Sequence, residues 1–156
     1  MFSFFQILKK FKKLIRYKRN QHSITNTKST IGKKGEELAK NFLKKEKKFK
    51  IITSNWTHKK DEIDIIAKEG QVLVFIEVKT RTDNKSIFTH YLSVTKKKKK
   101  NLARAAKAYL KCTKPTPIHF RFDIILVKLC KNQGNHIHHY SNIKLFSKNF
   151  HSLTYD

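Results

Sequence analysis

The chain has 156 residues, and its 36 Lys and Arg against 11 Asp and Glu give a formal net charge of +25. One domain with tails fits this length, and a core can form because 38% of the residues are hydrophobic. So large an imbalance favours a polyanionic partner, since the uncompensated charges repel one another. Cys112 and Cys130 are too few for a disulfide framework, which points to a reducing compartment and a cytoplasmic location. No apolar run approaches the ~20 residues of a membrane span.

The N-terminal region is a distinct basic segment, because the first acidic residue of the chain is Glu36. Apolar residues recur at helical spacing through positions 4 to 15 with lysines between them, which predicts a basic amphipathic helix. Such a helix can dock on the domain, or residues 1–19 can contact an anionic membrane surface. Residues 21–30 are typical of a polar linker. We therefore expect an extension at 1–31, a domain at 32–146 and a C-terminal tail at 147–156.

From Gly32 onwards the pattern is that of a globular α/β domain. We predict a helix at 35–49, a strand at 49–56, a turn at 58–61 and two strands at 62–67 and 72–80. A hairpin joins the last two strands, and Gly70 supplies the positive φ that such a turn needs. A loop at 81–93 leads to a helix at 96–111, a strand at 118–129 and a final strand at 137–143. This order predicts a mixed sheet flanked by helices.

The strand at 72–80 is apolar on both sides for most of its length. Its even-numbered residues from Val72 to Val78 are all aliphatic and share one face. On the other face two apolar residues, Leu73 and Phe75, are followed by Glu77 and Lys79. A strand of this kind is central in its sheet and is covered on both faces.

Five of the 11 acidic residues fall within 17 positions around this hairpin: Asp61, Glu62, Asp64, Glu69 and Glu77. A hairpin that pairs Ala67 with Val72 sets Asp64 opposite Phe75 and Glu62 opposite Glu77. Glu62, Asp64, Glu77 and Lys79 then project from one face. A three-residue loop would instead put Asp64 and Glu77 on opposite faces.

Carboxylates that converge on one face repel each other unless a proton or a cation relieves them. Mg²⁺ is the natural bridge, because it binds one or two carboxylates together with waters and phosphate oxygens. Lys79, on the same face as Glu77, could orient a water or stabilise charge at a phosphorus centre. In the predicted helix Glu36 flanks the apolar face, whereas Glu37 points to water. The alternative is a structural one: a Glu77–Lys79 ion pair inside the sheet, with Asp64 hydrogen-bonded to turn amides.

Four segments in this order resemble the YraN family of bacterial proteins: GKKGEELAKNFL, NWTHKKDEIDIIAKEGQVLVFIEVKTR, SVTKKKKKNLARAAKAYL and RFDIILV. The resemblance covers residues 32 to about 146. It implies a restriction-endonuclease-like fold, related to archaeal Holliday junction resolvases, with a PD-(D/E)XK site. In that site Glu36, Asp64 and Glu77 would hold Mg²⁺ or Mn²⁺, and Lys79 would complete the catalytic set. Asp61 stands where the family usually has Gly, which adds a charge near the site.

The resemblance and the charge together imply a Mg²⁺-dependent endonuclease acting on DNA, with branched or processed DNA among the candidate substrates. Four basic residues are the candidate nucleic-acid ligands: Arg81, Lys96, Lys99 and Lys100. An alternative is a protein that keeps the nuclease fold but only binds nucleic acid. A third possibility is a membrane-surface adaptor that works through the N-terminal helix.

Three other groups of residues have a functional and a structural interpretation. Arg121 and Asp123 share one face of their strand, where we expect them to pair. Trp56 and Phe88 could stack on unpaired bases, although core packing is the more common role. Cys130 and a group of histidines at 136, 138 and 139 do not match a zinc-ligand spacing, and adjacent histidines on a strand face opposite ways.

Overall fold

A computed structural model describes residues 28–82, 95–115, 117–130 and 134–144 of the chain. The chain divides into two compact units, residues 1–31 and 32–156. The sheet and both of its cores lie in the second unit. The predicted N-terminal amphipathic helix, the C-terminal tail and Phe88 lie outside the described residues. The domain boundaries at 31 and 146 therefore stay predictions.

Two helices and five strands make up the described part of the chain. Helix α1 spans Lys28–Lys45 and precedes the strands β1 (Lys50–His58), β2 (Asp61–Glu69) and β3 (Val72–Arg81). Helix α2 spans Lys96–Cys112 and leads into β4 (Phe120–Lys128) and β5 (His136–Tyr140). The predicted α/β class and the order of elements are confirmed.

The strands form one mixed sheet in the order β1-β2-β3-β4-β5. The first three strands make an antiparallel meander, β4 lies parallel to β3, and β5 closes the sheet antiparallel to β4. Helix α2 is the crossover between the two parallel strands, as a parallel pair requires. Strand β3 is the central strand, as its apolar pattern predicts.

Each face of the sheet carries its own apolar core. One core packs Leu102, Ala106 and Leu110 of α2 against Phe75 and other side chains of β3 and β4. The opposite core packs Ala39 and Leu43 of α1 against the aliphatic face of β3, including Val74 and Ile76. The alternation of β3 explains both, since its odd-numbered residues face α2 and its even-numbered residues face α1. Helices on both faces are typical of a sheet that contains parallel strands.

Helix α1 differs from the prediction at both ends. It begins at Lys28, inside the predicted linker, and it ends at Lys45 rather than at Phe49. The prediction misses residues 28–34 of the helix because they are exposed or half-buried and therefore show no apolar periodicity in the sequence. At the other end Lys48 has a positive φ of 59°, which turns the chain so that Phe49 enters the core.

The register of the β2–β3 hairpin also differs from the prediction, by two residues. Strand β2 continues to Glu69, two residues beyond its predicted end, while β3 begins at Val72 as predicted, so that Glu69 pairs with Val72 and Ala67 pairs with Val74. The turn contains Gly70 with a φ of 56°, as predicted. Because the shift is an even number of residues, the side chains of the paired stretches 65–69 and 72–76 keep their predicted faces. Ile63 lies in the same core as Ile66, so the alternation is broken beside Asp64. The predicted pairs Ala67–Val72 and Glu62–Glu77 are wrong.

Neither of the two helices in the described residues is long and apolar enough to cross a membrane.

Candidate active site

The observed register brings Asp64 and Glu77 to neighbouring positions on β2 and β3. Ile65 pairs with Ile76, and Asp64 and Glu77 are the residues that follow this last pair on the two strands. The charge of Glu77 acts on Asp64. The ladder between the two strands ends here, and Val78 donates its backbone N–H to Asp64 Oδ2 at 2.6 Å. On the other side of β2, Asn55 has a positive φ of 52° and lies opposite Asp64. The sheet is thus locally distorted on both sides of this aspartate.

Glu77 is 3% exposed, and a lysine ammonium lies beside each of its carboxylate oxygens. Lys79 Nζ is 2.5 Å from Oε1, and Lys98 Nζ is 2.9 Å from Oε2. The Lys98 contact is a charge pair without good hydrogen-bond geometry, so Oε2 has no hydrogen-bond donor. Two cations therefore offset the cost of burying this carboxylate.

Burial raises the pKa of Asp64 to about 7, and the charge of Glu77 adds to the increase. The charge of Glu36 acts in the same direction, while the Val78 N–H and the charge of Lys98 oppose it. A proton or a cation shared by the two carboxylates would relieve this repulsion.

Lys98 is the lysine of α2 that reaches this site, although the sequence singles out Lys96, Lys99 and Lys100 instead. Burial lowers its pKa, but the interactions with Glu77, Asp64 and Glu62 outweigh burial and raise it. The position of Lys98 in the helical pattern could have revealed from the sequence that it faces the sheet. Leu102 and Ala105 follow Lys98 at i+4 and i+7, and both are buried against the sheet. Lys98 therefore begins the inward face of α2.

The start of α2 is fixed by Thr95, whose hydroxyl accepts a hydrogen bond from the Lys98 N–H at 3.2 Å. Lys96 and Lys100 are exposed and Lys99 is half-buried. Lys96 and Lys100 are each two residues from Lys98, so they project from the opposite side of this first turn of α2. Arg81 is exposed at the end of β3, two residues beyond Lys79. The predicted nucleic-acid ligands thus belong to the two elements that border the carboxylates.

Glu36 and Glu37 differ as the helical pattern predicts. Glu37 is exposed and pairs with Lys40 at 2.7 Å, whereas Glu36 is half-buried and its charge is felt at Asp64. Gly35 explains how α1 comes so close to β3. A Cβ atom at this position would lie 1.8 Å from Thr80 Oγ1, so only glycine allows this contact. No local pattern in the sequence marks this role of Gly35.

The donor set of the site suits a hard cation bound in the manner of Mg²⁺. Asp64 and Glu77 supply carboxylate oxygens on one face, which is the number Mg²⁺ needs when water and phosphate complete its shell. Among the described residues, no group of three or more His, Cys, Asp or Glu is close enough to hold a metal by itself. Glu36 is therefore placed near the pair but does not complete a three-ligand cluster with it.

Asp61 faces away from the carboxylate pair toward α2. Arg104 donates from Nε and Nη2 to its two oxygens, each at 2.7 Å, and these hydrogen bonds lower the pKa of Asp61. The negative charge of Asp61 is thus neutralised by Arg104 of α2.

The remaining predicted groups have structural partners. Arg121 pairs with Asp123 at 3.0 Å, as predicted, and His139 contacts the same aspartate at 2.8 Å. His139 is inward and His138 is exposed, so the two face opposite ways. Trp56 packs against the α2-side core with its ring edge-on to Tyr109, which supports its core role.

Comparison with known proteins assigns the family. The family model described as "Uncharacterised protein family UPF0102" matches residues 35–127. A UPF0102 protein of Desulfosudis oleivorans is 41% identical over 103 residues, which cover 66% of this chain and 82% of the relative. A UPF0102 protein of Carboxydothermus hydrogenoformans is 39% identical over 113 residues, covering 72% of this chain and 93% of the relative. The chain therefore belongs to the UPF0102 family, also called the YraN family.

Proposed function

We propose that this protein binds DNA and hydrolyses its phosphodiester bonds with the help of Mg²⁺ or Mn²⁺, on a restriction-endonuclease-like fold. The observation that carries the proposal is the closeness of Asp64 to Glu77, with Lys79 and Lys98 in contact with Glu77. Two acidic and two basic groups, on three separate elements, converge at one end of the β2–β3 ladder. Such convergence is costly for stability and is typical of a catalytic site.

The order of elements supports the same proposal. A helix, a three-stranded meander, a crossover helix and a parallel strand follow one another, with the carboxylates on the second and third strands. The resemblance to the PD-(D/E)XK nucleases implies this arrangement, with the helix glutamate, here Glu36, directed to the site from the first helix.

A bound Mg²⁺ would supply a polarised water and would neutralise charge on the phosphate. Asp64 and Glu77 would hold it, and Glu36 is the nearest further carboxylate. Lys79 would orient the attacking water and stabilise the charge that develops on the phosphate oxygens. Lys98 holds Glu77 in place from the helix side. Phosphates on either side of the scissile bond would meet Arg81, Lys96, Lys99 and Lys100.

The decisive variant is Asp64→Asn, which removes the charge and keeps the shape. We expect it to abolish cleavage of branched, single-stranded and duplex DNA in Mg²⁺ and in Mn²⁺. Binding measured in EDTA should be equal or tighter, because a negative charge that faces phosphate is gone. Wild-type protein that cuts none of these substrates with either metal would overturn the catalytic part of the proposal.

A second candidate is a protein that binds nucleic acid without cutting it. One observation favours it: a lysine ammonium lies beside each carboxylate oxygen of Glu77, at 2.5 Å for Lys79 and 2.9 Å for Lys98. This candidate predicts that wild-type protein binds DNA in EDTA and that Mg²⁺ changes neither the DNA nor the affinity. A DNA partner would agree with the cytoplasmic location expected from the sequence.

A further inference from the structure

We propose that a basic cleft between α2 and the β1–β2 turn is a second contact site for the phosphate backbone of the bound nucleic acid. This inference rests on the proposed DNA binding and extends it beyond the active site. The cleft, called the α2 cleft below, has a volume of about 470 Å³. It is lined by His58, Lys59, Asp61, Arg104, Lys107, Ala108, Lys111 and Cys112.

The α2 cleft is more basic than the chain as a whole. Lys and Arg make up four of its eight lining residues, against 36 of 156 in the whole chain. The one acidic residue of the lining, Asp61, is 4% exposed, and both of its oxygens are bonded to Arg104. A polyanion entering the cleft therefore meets cationic groups and no exposed carboxylate. Such a concave surface of one sign attracts a polyanion.

The cations of the cleft form a row along one face of α2. Arg104, Lys107 and Lys111 are spaced i, i+3 and i+7, so they share one face of α2, and Lys100 precedes them by one turn. Eleven residues separate Lys100 from Lys111 at the far end of the row. At a rise of about 1.5 Å per residue this is about 17 Å. The length matches about five phosphates of one B-form strand along its axis.

The opposite wall of the cleft is held in a fixed position. The His58 ring lies nearly parallel to the Trp56 ring, with 9° between the planes and 6.1 Å between the centroids. Trp56 in turn contacts Tyr109 of α2 edge-on. The next residue, Lys59, has a φ of 54° and makes the turn. This wall presents a ring and an ammonium group to the cleft.

The lining suits a nucleic acid better than a lipid surface. A membrane site needs large apolar side chains that enter the bilayer next to the cations. In the described part of the chain the exposed large hydrophobic residues are Ile52 and Ile118, and neither of them lines this cleft.

The first test compares two variants that each lose three positive charges. Lys59→Asn/Lys107→Gln/Lys111→Gln changes the cleft, and Asn is used at 59 because it tolerates a positive φ. Lys33→Gln/Lys44→Gln/Lys45→Gln changes exposed positions of α1 and is the control. Affinity for a DNA duplex is measured in EDTA over a range of salt, so that cleavage plays no part.

We expect the cleft variant to bind at least about tenfold more weakly near 0.1 M salt, with the log–log salt slope reduced by about two to three units. The control should keep a slope close to that of wild type. Equal losses in the two variants would overturn the cleft while leaving DNA binding intact. Wild-type protein that does not bind DNA would overturn both proposals. A cleft variant that loses binding to anionic vesicles but not to DNA would assign the cleft to a membrane.

The second test uses the two cysteines as local probes. Cys112 is exposed and lines the cleft, whereas Cys130 lies after β4 and outside it. Saturating DNA should slow the reaction of Cys112 with a bulky maleimide several-fold and leave the rate at Cys130 unchanged. Equal rates at Cys112 with and without DNA would contradict the inference.

Discussion

The site depends at the scale of single residues on one feature, the enforced closeness of Asp64 and Glu77. Burial and the Glu77 charge hold the pKa of Asp64 at about 7, well above its usual value. Two lysines neutralise Glu77 itself, so the unfavourable interactions of the carboxylate pair mainly affect Asp64. Removing the charge of Asp64, or its repulsion with Glu77, should therefore stabilise the fold.

The first prediction concerns the pH dependence of stability in Asp64→Asn. A carboxyl with a raised folded pKa loses folding stability as pH rises from the unfolded value near 4 to the folded value near 7. Asp64→Asn removes this loss. We expect urea unfolding to show the variant more stable than wild type at pH 8, with a difference that shrinks as pH falls and is nearly gone at pH 4 or below. A variant that is less stable than wild type at pH 8 would show that Asp64 is not under this strain.

The second prediction concerns the two lysines that contact Glu77. Each lysine contacts one carboxylate oxygen of Glu77, so Lys79→Ala leaves the Lys98 contact in place. The variant should therefore lose much less stability than the ~3–5 kcal/mol expected when a buried charge has no partner. The double variant Lys79→Ala/Lys98→Ala should lose more than the sum of the two single variants. Lys79→Ala should also reduce the cleavage rate by about 10² or more while barely changing DNA affinity. A double-mutant cycle of unfolding free energies checks the first part. Additive losses would show that the lysines do not share the charge of Glu77.

The site depends at the scale of elements on how α1 and α2 are held against β3. Helix α2 brings Lys98 to Glu77 because its inward face continues into the core through Leu102 and Ala105. Helix α1 approaches the end of β3 through Gly35, which lies against Thr80. The residue after this glycine is Glu36, so the same contact controls how closely Glu36 approaches Asp64.

The third prediction tests the contact of α1 with β3. Gly35→Ala places a methyl group within 1.8 Å of Thr80 Oγ1 and should cost about 1–3 kcal/mol of unfolding free energy. Gly32→Ala in the same helix meets nothing within 4 Å and should be neutral or stabilising by up to about 1 kcal/mol. Urea unfolding of the two variants gives the comparison. Equal stability would contradict the close contact.

The elements themselves could be predicted from periodicity, because β3 alternates cleanly and α2 has a clear apolar face. The register of the hairpin could not, since Ala67 and Glu69 are both plausible last residues of β2. The residue that completes the charge balance, Lys98, was hidden in a run of five lysines that look alike in sequence. Only the phase of the helix distinguishes it from Lys96 or Lys100. Gly35 was missed because the contact that requires it joins residues 45 positions apart.

The excess of positive charge is the dominant property at the scale of the whole molecule. The formal net charge of +25 is only partly used by the active site, where Lys79 and Lys98 balance Glu77. The α2 cleft adds further cations on the same side of the sheet as α2. A polyanion that contacts both would release many counterions.

The fourth prediction is that DNA affinity falls steeply with added salt, with a log–log slope of several units. Removal of residues 1–27 should weaken binding further without unfolding the domain. The deletion stops at 27 because α1 begins at Lys28. Binding at several salt concentrations and a thermal melt of each protein check both points. A flat salt dependence would favour a membrane or protein partner instead.

The most direct test of the proposed site is a crystal structure with bound Mn²⁺, measured by anomalous diffraction. We predict a single strong anomalous peak between the Asp64 and Glu77 carboxylates, and no peak there in Asp64→Asn. Mn²⁺ that fails to bind between these two residues, with Lys79 and Lys98 still paired to Glu77, would contradict the metal-dependent site.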